Sequence, residues 1–134
     1  MSKAAVVFYS GTGNTEAMAD AIVNAIGAEK IEAENFNAGM VADYDAIAFG
    51  CPAMGDEVLE EDVFQPMWDD VKAQLSGKRI ALFGSYGWGD GEWMRSWEAD
   101  ADAAGAQRVS DSVICNDAPD DDAIAALEAL AKAL

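Results

Sequence analysis

The chain reads as an α/β protein with a doubly wound, five-stranded parallel sheet in the order 2-1-3-4-5 and helices on both faces. Three observations predict it. Short apolar runs alternate with stretches of helical periodicity along all 134 residues, the rhythm that builds a parallel sheet. Three of the runs are apolar almost throughout, which marks strands buried on both sides. Two others alternate apolar with polar residues and so belong at the edges.

The elements follow in order. Ala4-Ala5-Val6-Val7-Phe8-Tyr9 is a continuous apolar strand. A helix from about Thr12 to Ile26 carries Met18, Ile22 and Ile26 four apart on one face, and Gly27 stops it. Ile31 to Phe36 alternates, with Ile31 and Ala33 against Glu32 and Glu34, an edge strand. Ala46-Ile47-Ala48-Phe49-Gly50 is apolar throughout. The helix predicted over Val63 to Leu75 places Phe64, Met67, Trp68, Val71 and Leu75 on one stripe. Arg79 to Gly84 is the third central strand. A helix near Glu92 to Ala104 leads to a second alternating strand, Arg108 to Ile114. The last helix starts at about Asp121, with Ile124, Leu127 and Leu130 inward, acids at its start and Lys132 near its end, as the helix dipole favours. With this strand order the winding reverses between the first and third strands. A ligand is expected beyond their C-terminal ends.

Bulk properties narrow the function. The length suits a single domain, 1–134, and 51% of the residues are hydrophobic. No apolar run approaches the roughly 20 residues that span a bilayer, and the start shows no signal-peptide pattern. A soluble, cytoplasmic protein is expected. Eight basic against 25 acidic residues give a net charge of −17, which repels nucleic acid and anionic membranes and attracts basic patches. There is no histidine, so histidine triads and histidine metal sites are excluded. Cys51 and Cys115 form no C-x-x-C pair and read as buried core thiols.

The chemistry lies in three loops at one sheet edge. Ser10-Gly11-Thr12-Gly13-Asn14-Thr15 opens a helix. Its glycines let backbone N–H groups converge on an anion, the helix start adds partial positive charge, and three hydroxyls add donors. It contains no lysine or arginine, so a phosphate here is held by neutral donors. It is not a dinucleotide fingerprint, because Glu16 stands at the third glycine position, nor a nucleotide P-loop, because the lysine is absent. The second loop, Pro52-Ala53-Met54-Gly55-Asp56-Glu57, follows Cys51. It cannot be a phosphatase loop, because Glu57 stands where that loop has its arginine. A receiver domain is excluded by Gly50-Cys51-Pro52 where the phospho-accepting aspartate would be. The third loop runs Gly84-Ser85-Tyr86-Gly87-Trp88-Gly89-Asp90-Gly91. Trp88, set among glycines, has little to pack on locally and is expected to stack on a ligand. Trp93 and Trp97, at i and i+4 of a helix, read as packing residues.

Together these loops resemble the three flavin loops of short-chain flavodoxins from anaerobic bacteria, and the resemblance covers essentially the whole chain. It implies a flavodoxin-like fold with non-covalent FMN and no metal. The implied function is a low-potential one-electron carrier, cycling between quinone, semiquinone and hydroquinone, with no catalytic residues and no turnover of its own. By the resemblance, Ser10, Gly11, Thr12, Gly13, Asn14 and Thr15 hold the phosphate. Pro52 and Ala53 belong to the second flavin loop, where Met54 joins Trp88 in sandwiching the isoalloxazine. The Gly55–Asp56 peptide faces the flavin N5, and Glu57 accepts from N3–H. Ser85, Tyr86, Gly87 and Gly89 contact the ring edge with Trp88. No role is assigned to Asn116 to Pro119.

Two devices for separating the electron steps are then expected. Gly55 tolerates a turn that presents a carbonyl to N5. The acids Asp56, Glu57, Glu60, Glu61, Asp62, Asp90 and Glu92, with no cation evident among the loops, disfavour an anionic flavin. One charge at 10 Å in water contributes about 0.4 kcal/mol, so several are needed. The same rim is the expected docking face for redox partners with basic patches, and a monomer is expected. The alternative is a small FMN-dependent NAD(P)H or quinone reductase, which needs a nicotinamide site this short acidic chain offers poorly.

Overall fold

The structure, a computed structural model, describes residues 3–55 and 57–134. The strands are β1 (Ala4–Phe8), β2 (Glu29–Glu32), β3 (Ala46–Gly50), β4 (Arg79–Tyr86), β5 (Gln107–Arg108) and β6 (Val113–Asn116). The helices are α1 (Asn14–Ile26), α2 (Phe64–Val71), α3 (Glu92–Ala103) and α4 (Asp121–Ala133). The sheet is parallel with the order β2-β1-β3-β4-β5, and β6 also pairs with β4.

Strand alternation divides the core in two. Val6, Phe8, Ala48, Ala81 and Phe83 face the layer that holds Met18 and Ile22 of α1 and Leu127 and Leu130 of α4. Val7, Ile47, Phe49, Ile80 and Leu82 face Phe64, Trp68 and Val71 of α2 and Trp93 and Trp97 of α3. β1, β3 and β4 are therefore buried on both sides, which is why their sequences are apolar at every position. Among the described residues no helix is long and apolar enough to cross a membrane.

Three expectations need correction. The second strand begins at Glu29 rather than Ile31 and ends at Glu32. Ala33–Asn35 is a 3₁₀ turn, because β1, its ladder partner among the described residues, ends at Phe8 opposite Glu32. The helix predicted to reach Leu75 ends at Val71 and tightens into a 3₁₀ turn at Lys72–Gln74. The predicted fifth strand is two short strands. From Arg79↔Gln107 to Phe83↔Val113, β4 advances four residues while its partner advances six. The intervening chain leaves the ladder, and there Ser112 Oγ donates to Glu98 at 2.6 Å, the carboxylate that Arg108 at the end of β5 meets at 3.2 Å. Side-chain bonds to α3 compete there with backbone pairing.

Candidate functional site

The predicted loops leave β1, β3 and β4 at one end of the sheet, and backbone bonds hold them together. Tyr9 N–H donates to Gly50 O at 3.0 Å, Cys51 N–H to Phe83 O at 3.1 Å, and Ala53 N–H to Ser85 O at 3.0 Å. A cleft of about 210 Å³ opens between them at the reversal point of the winding. Gly11, Thr12 and Asn14 of the first loop line it, with Pro52, Ala53 and Met54 of the second and Ser85, Tyr86 and Gly87 of the third. Tyr9 and Asp117 complete the lining.

The first loop is shaped around Ser10. Its Oγ accepts from Gly13 N–H at 3.0 Å and Glu16 N–H at 3.2 Å, which leaves its own hydroxyl proton free to donate. Gly13 caps α1 at φ 94°. Thr15 is 1% exposed, and its Oγ1 has no hydrogen-bond partner among the described residues. Nor, among the described residues, do the N–H groups of Thr12, Asn14 and Thr15 enter any hydrogen bond. The unpaired buried hydroxyl of Thr15 is costly, and with free N–H donors beside it at a helix start the loop fits an anionic group. The neighbouring cation is engaged elsewhere: Lys30 Nζ lies 2.8 Å from both Asp20 and Glu16. The hydrogen bond it donates to Asp20, then that to Glu16, raises its pKa.

The second loop is a turn closed by Glu57 N–H to Met54 O at 2.8 Å and Met54 N–H to Val58 O at 3.0 Å. Asp56, assigned to the flavin by resemblance, lies outside the described residues. Glu57 adopts φ 53°, unusual for a residue with a side chain. Its Oε1 accepts from Asp90 N–H at 3.2 Å, which ties the second loop to the third. That approach explains Gly89: a Cβ there would lie 2.1 Å from Glu57 Oε1. In the third loop Trp88 is 64% exposed and Met54 37%. Val58, beside the second loop, is exposed too, at 39%. Trp68, Trp93 and Trp97 are core residues as predicted, and both thiols are buried.

Two expectations about the rim are overturned. Glu60 is buried, 4% exposed. Its carboxylate accepts from the N–H groups of Asp62 at 2.8 Å, Val63 at 2.7 Å and Phe64 at 2.8 Å. It is the cap of α2, not a docking acid. Burial pushes its pKa up, but the three donors outweigh that and hold it below the usual carboxylate range. The rim is also not free of cations. Arg95, one turn into α3, donates to Asp90 O at 3.0 Å, Asp90 Oδ1 at 2.9 Å and Glu92 Oε2 at 2.8 Å.

Tyr9 and Asp117 were not foreseen. Tyr9 had a signal, its place at the C-terminal end of a central strand. Asp117 had none, because its position depends on the broken register of the last strand. Ser85 Oγ donates to Asp117 O at 2.6 Å and Asp117 N–H to Tyr86 O at 2.8 Å, so this turn braces the third loop.

The flavodoxin family model matches residues 6–129. The chain belongs to the flavodoxin family. It is 47% identical over 120 residues to the flavodoxin of Megasphaera elsdenii, covering 86% of this chain and 87% of that protein. It is 42% identical over 121 residues to the flavodoxin of Clostridium beijerinckii, covering 87% and 88%. The solution structure of two-electron reduced M. elsdenii flavodoxin superposes with a TM-score of 0.87 at 43% identity, over 96% of this chain and 98% of that one. As a flavodoxin the protein is a small FMN-binding electron carrier rather than an enzyme, and a reductase of the same fold is not favoured. Thr15 Oγ1 and the uncommitted N–H groups beside it suit the cofactor's phosphate.

Proposed function

We propose that the cleft between β1 and β3 seats FMN in one orientation and that the acidic rim around it meets basic patches on redox partners. The observation that carries this reading is the buried, unpartnered Thr15 hydroxyl inside a loop of free donors. Ser10 to Thr15 hold the phosphate with N–H and O–H groups alone, so its charge is balanced by the helix start rather than by a cation. Met54 and Trp88 cover the two faces of the isoalloxazine. Pro52, Ala53, Ser85, Tyr86, Gly87 and Gly89 border its edges, and Glu57 accepts from N3–H. Gly55 faces N5.

Bound FMN supplies one-electron redox chemistry. The chain supplies the rest. The loops orient the ring, Met54 and Trp88 keep water from its faces, and a carbonyl at Gly55 can accept a proton's hydrogen bond at N5. The carrier acts as a cytoplasmic monomer, a single domain over 1–134. Its partners dock on Glu57, Glu61, Asp62, Asp90 and Glu92, with Asp56 beside them in sequence. Encounters of this kind are weak and governed by charge.

The test is reconstitution followed by reductive titration. One FMN should bind and be released on denaturation, with no oxidation of NADH or NADPH until a reductase is added. Rapid NADPH turnover by the protein alone would sink the carrier reading.

A further inference from the structure

Two aromatic ring contacts, joined by one turn of α3, lead away from the cleft. Tyr86 borders the cleft, and its ring centroid lies 5.6 Å from that of Trp93. Trp97 follows Trp93 one turn along α3, and both border a second cleft of about 170 Å³ together with Asp100. Trp97 packs edge to face on Trp68 at 5.6 Å and 87°. All three indoles are buried, at most 2% exposed.

Their N–H groups are treated differently. Trp93 Nε1 donates to the Cys51 carbonyl at 3.1 Å. Trp97 Nε1 has no partner among the described residues. Trp68 Nε1 donates to Asp100 Oδ2 at 2.7 Å, and Lys72 Nζ lies 3.2 Å from the same oxygen. An indole that loses an electron has an N–H acidic enough to share its proton with a carboxylate. A peptide carbonyl cannot take that proton, and Trp97 has nothing to give it to. A buried cation is also unfavourable unless it is paired or neutralised. Among the described residues, Trp68 alone of the three has a carboxylate at hydrogen-bond distance.

We propose that Tyr86, Trp93, Trp97 and Trp68 form a route for an electron vacancy from the flavin cleft to Trp68, where proton transfer to Asp100 holds it. The oxidant is the photoexcited oxidised isoalloxazine, so the route rests on the reading of the cleft as the flavin seat. The excited ring gains one electron. The vacancy passes along the rings to Trp68, which loses one electron and, from Nε1, one proton. Asp100 Oδ2 takes the proton. Return of the electron to Trp68 and of the proton from Asp100 restores the starting state.

Laser-flash transient absorption of the FMN-loaded protein tests it. The wild-type protein should show a long-lived deprotonated tryptophanyl radical after the fast reaction of rings that touch the flavin. Asp100→Asn keeps a hydrogen-bond acceptor but removes the base. It should convert the transient to the protonated radical and shorten its life. Trp97→Phe should abolish the long-lived component while the bound-flavin visible spectrum is unchanged. A wild-type transient that decays entirely in the fast phase overturns the route. So does a long-lived deprotonated radical that survives Asp100→Asn or Trp97→Phe. Asp100 is part-exposed, so its variant tests the route even if Trp97→Phe fails to fold. The flavin spectrum of the wild-type protein is recorded first, and failure to bind FMN would sink the cleft reading itself.

Discussion

At the residue scale, two positions are expected to separate binding from redox tuning. Thr15 carries a hydroxyl with no partner among the described residues of the folded chain. Thr15→Val removes it at nearly constant shape. FMN affinity should then fall by about 1.5–3 kcal/mol, roughly ten- to hundred-fold in Kd, because a bond to a charged phosphate is lost. The apoprotein should be no less stable, since an unpaired buried group has gone. Flavin fluorescence titration and urea denaturation read the two arms, and a destabilised apoprotein with unchanged Kd would refute the assignment. Gly55 behaves differently. A Cβ there meets nothing within 4 Å, and its φ lies outside the left-handed region. Gly55→Ala should therefore leave affinity for the oxidised cofactor almost unchanged. A conformer with positive φ would be penalised by about 1 kcal/mol. The potential of the first electron should drop by about 40 mV. Spectroelectrochemistry measures it, and an unmoved potential removes the turn from the redox mechanism.

At the element scale, α2 depends on a residue that sequence pattern placed on the surface. Glu60 satisfies Phe64 N–H with its side chain and Gln65 N–H with its carbonyl at 2.8 Å. Pro66 stands next and has no N–H to satisfy. Glu60→Gln should destabilise the protein at neutral pH by about 1–3 kcal/mol, measured by urea unfolding. The sign with pH follows from a folded pKa held below the unfolded value. The carboxylate's contribution is complete above the unfolded pKa of about 4.3 and fades as pH falls through the lower folded value. The gap between wild type and variant should therefore narrow below about pH 4. A gap that is constant with pH would mean that the charge is irrelevant to the cap. The central strand end behaves as a closed core. Burial pushes the Cys51 thiol far up, and burial raises Cys115 as well. Both should resist thiol reagents in the folded protein and react on unfolding. Fast labelling under native conditions would contradict their burial.

At the scale of the whole molecule, the charge of −17 is unevenly neutralised. Arg95 pairs with Asp90 and Glu92, which leaves Glu61 and Asp62 as exposed rim acids beside the second loop. Neutralising these two should slow electron transfer to a basic partner and flatten its salt dependence, since screening sets in over about 10 Å at 0.1 M salt. Glu60 must be spared, because its loss would break α2 rather than the docking face. The control is Asp121 and Asp122 at the start of α4. Asp120 must also be spared, since its Oδ1 caps that helix at 2.8 Å from Ala123 N–H. Stopped-flow electron transfer across a salt series compares the two pairs. Equal effects would assign the charge to solubility alone.

The sequence by itself determined the strand order, the placement of the three loops and the identity of the core tryptophans. Each rests on a local pattern: β1, β3 and β4 are apolar on both faces because both faces are covered, and glycine-rich loops follow strand ends because helices must start there. What only the tertiary structure decided depends on which partner a group meets. Glu60 and Glu61 are adjacent acids, yet one is buried under three N–H groups and the other is exposed. Periodicity cannot distinguish them, because the difference is the direction of the chain entering α2. The break between β5 and β6 is of the same kind. Val109 to Val113 alternates like a strand, but between the paired segments Ser112 bonds Glu98 on α3, which also holds Arg108 at the end of β5. Asp117, which lines the cleft, follows directly on β6. Hydrophobic period is a property of neighbours in sequence, whereas a hydrogen bond across the fold is won by whichever distant group arrives first with the better geometry.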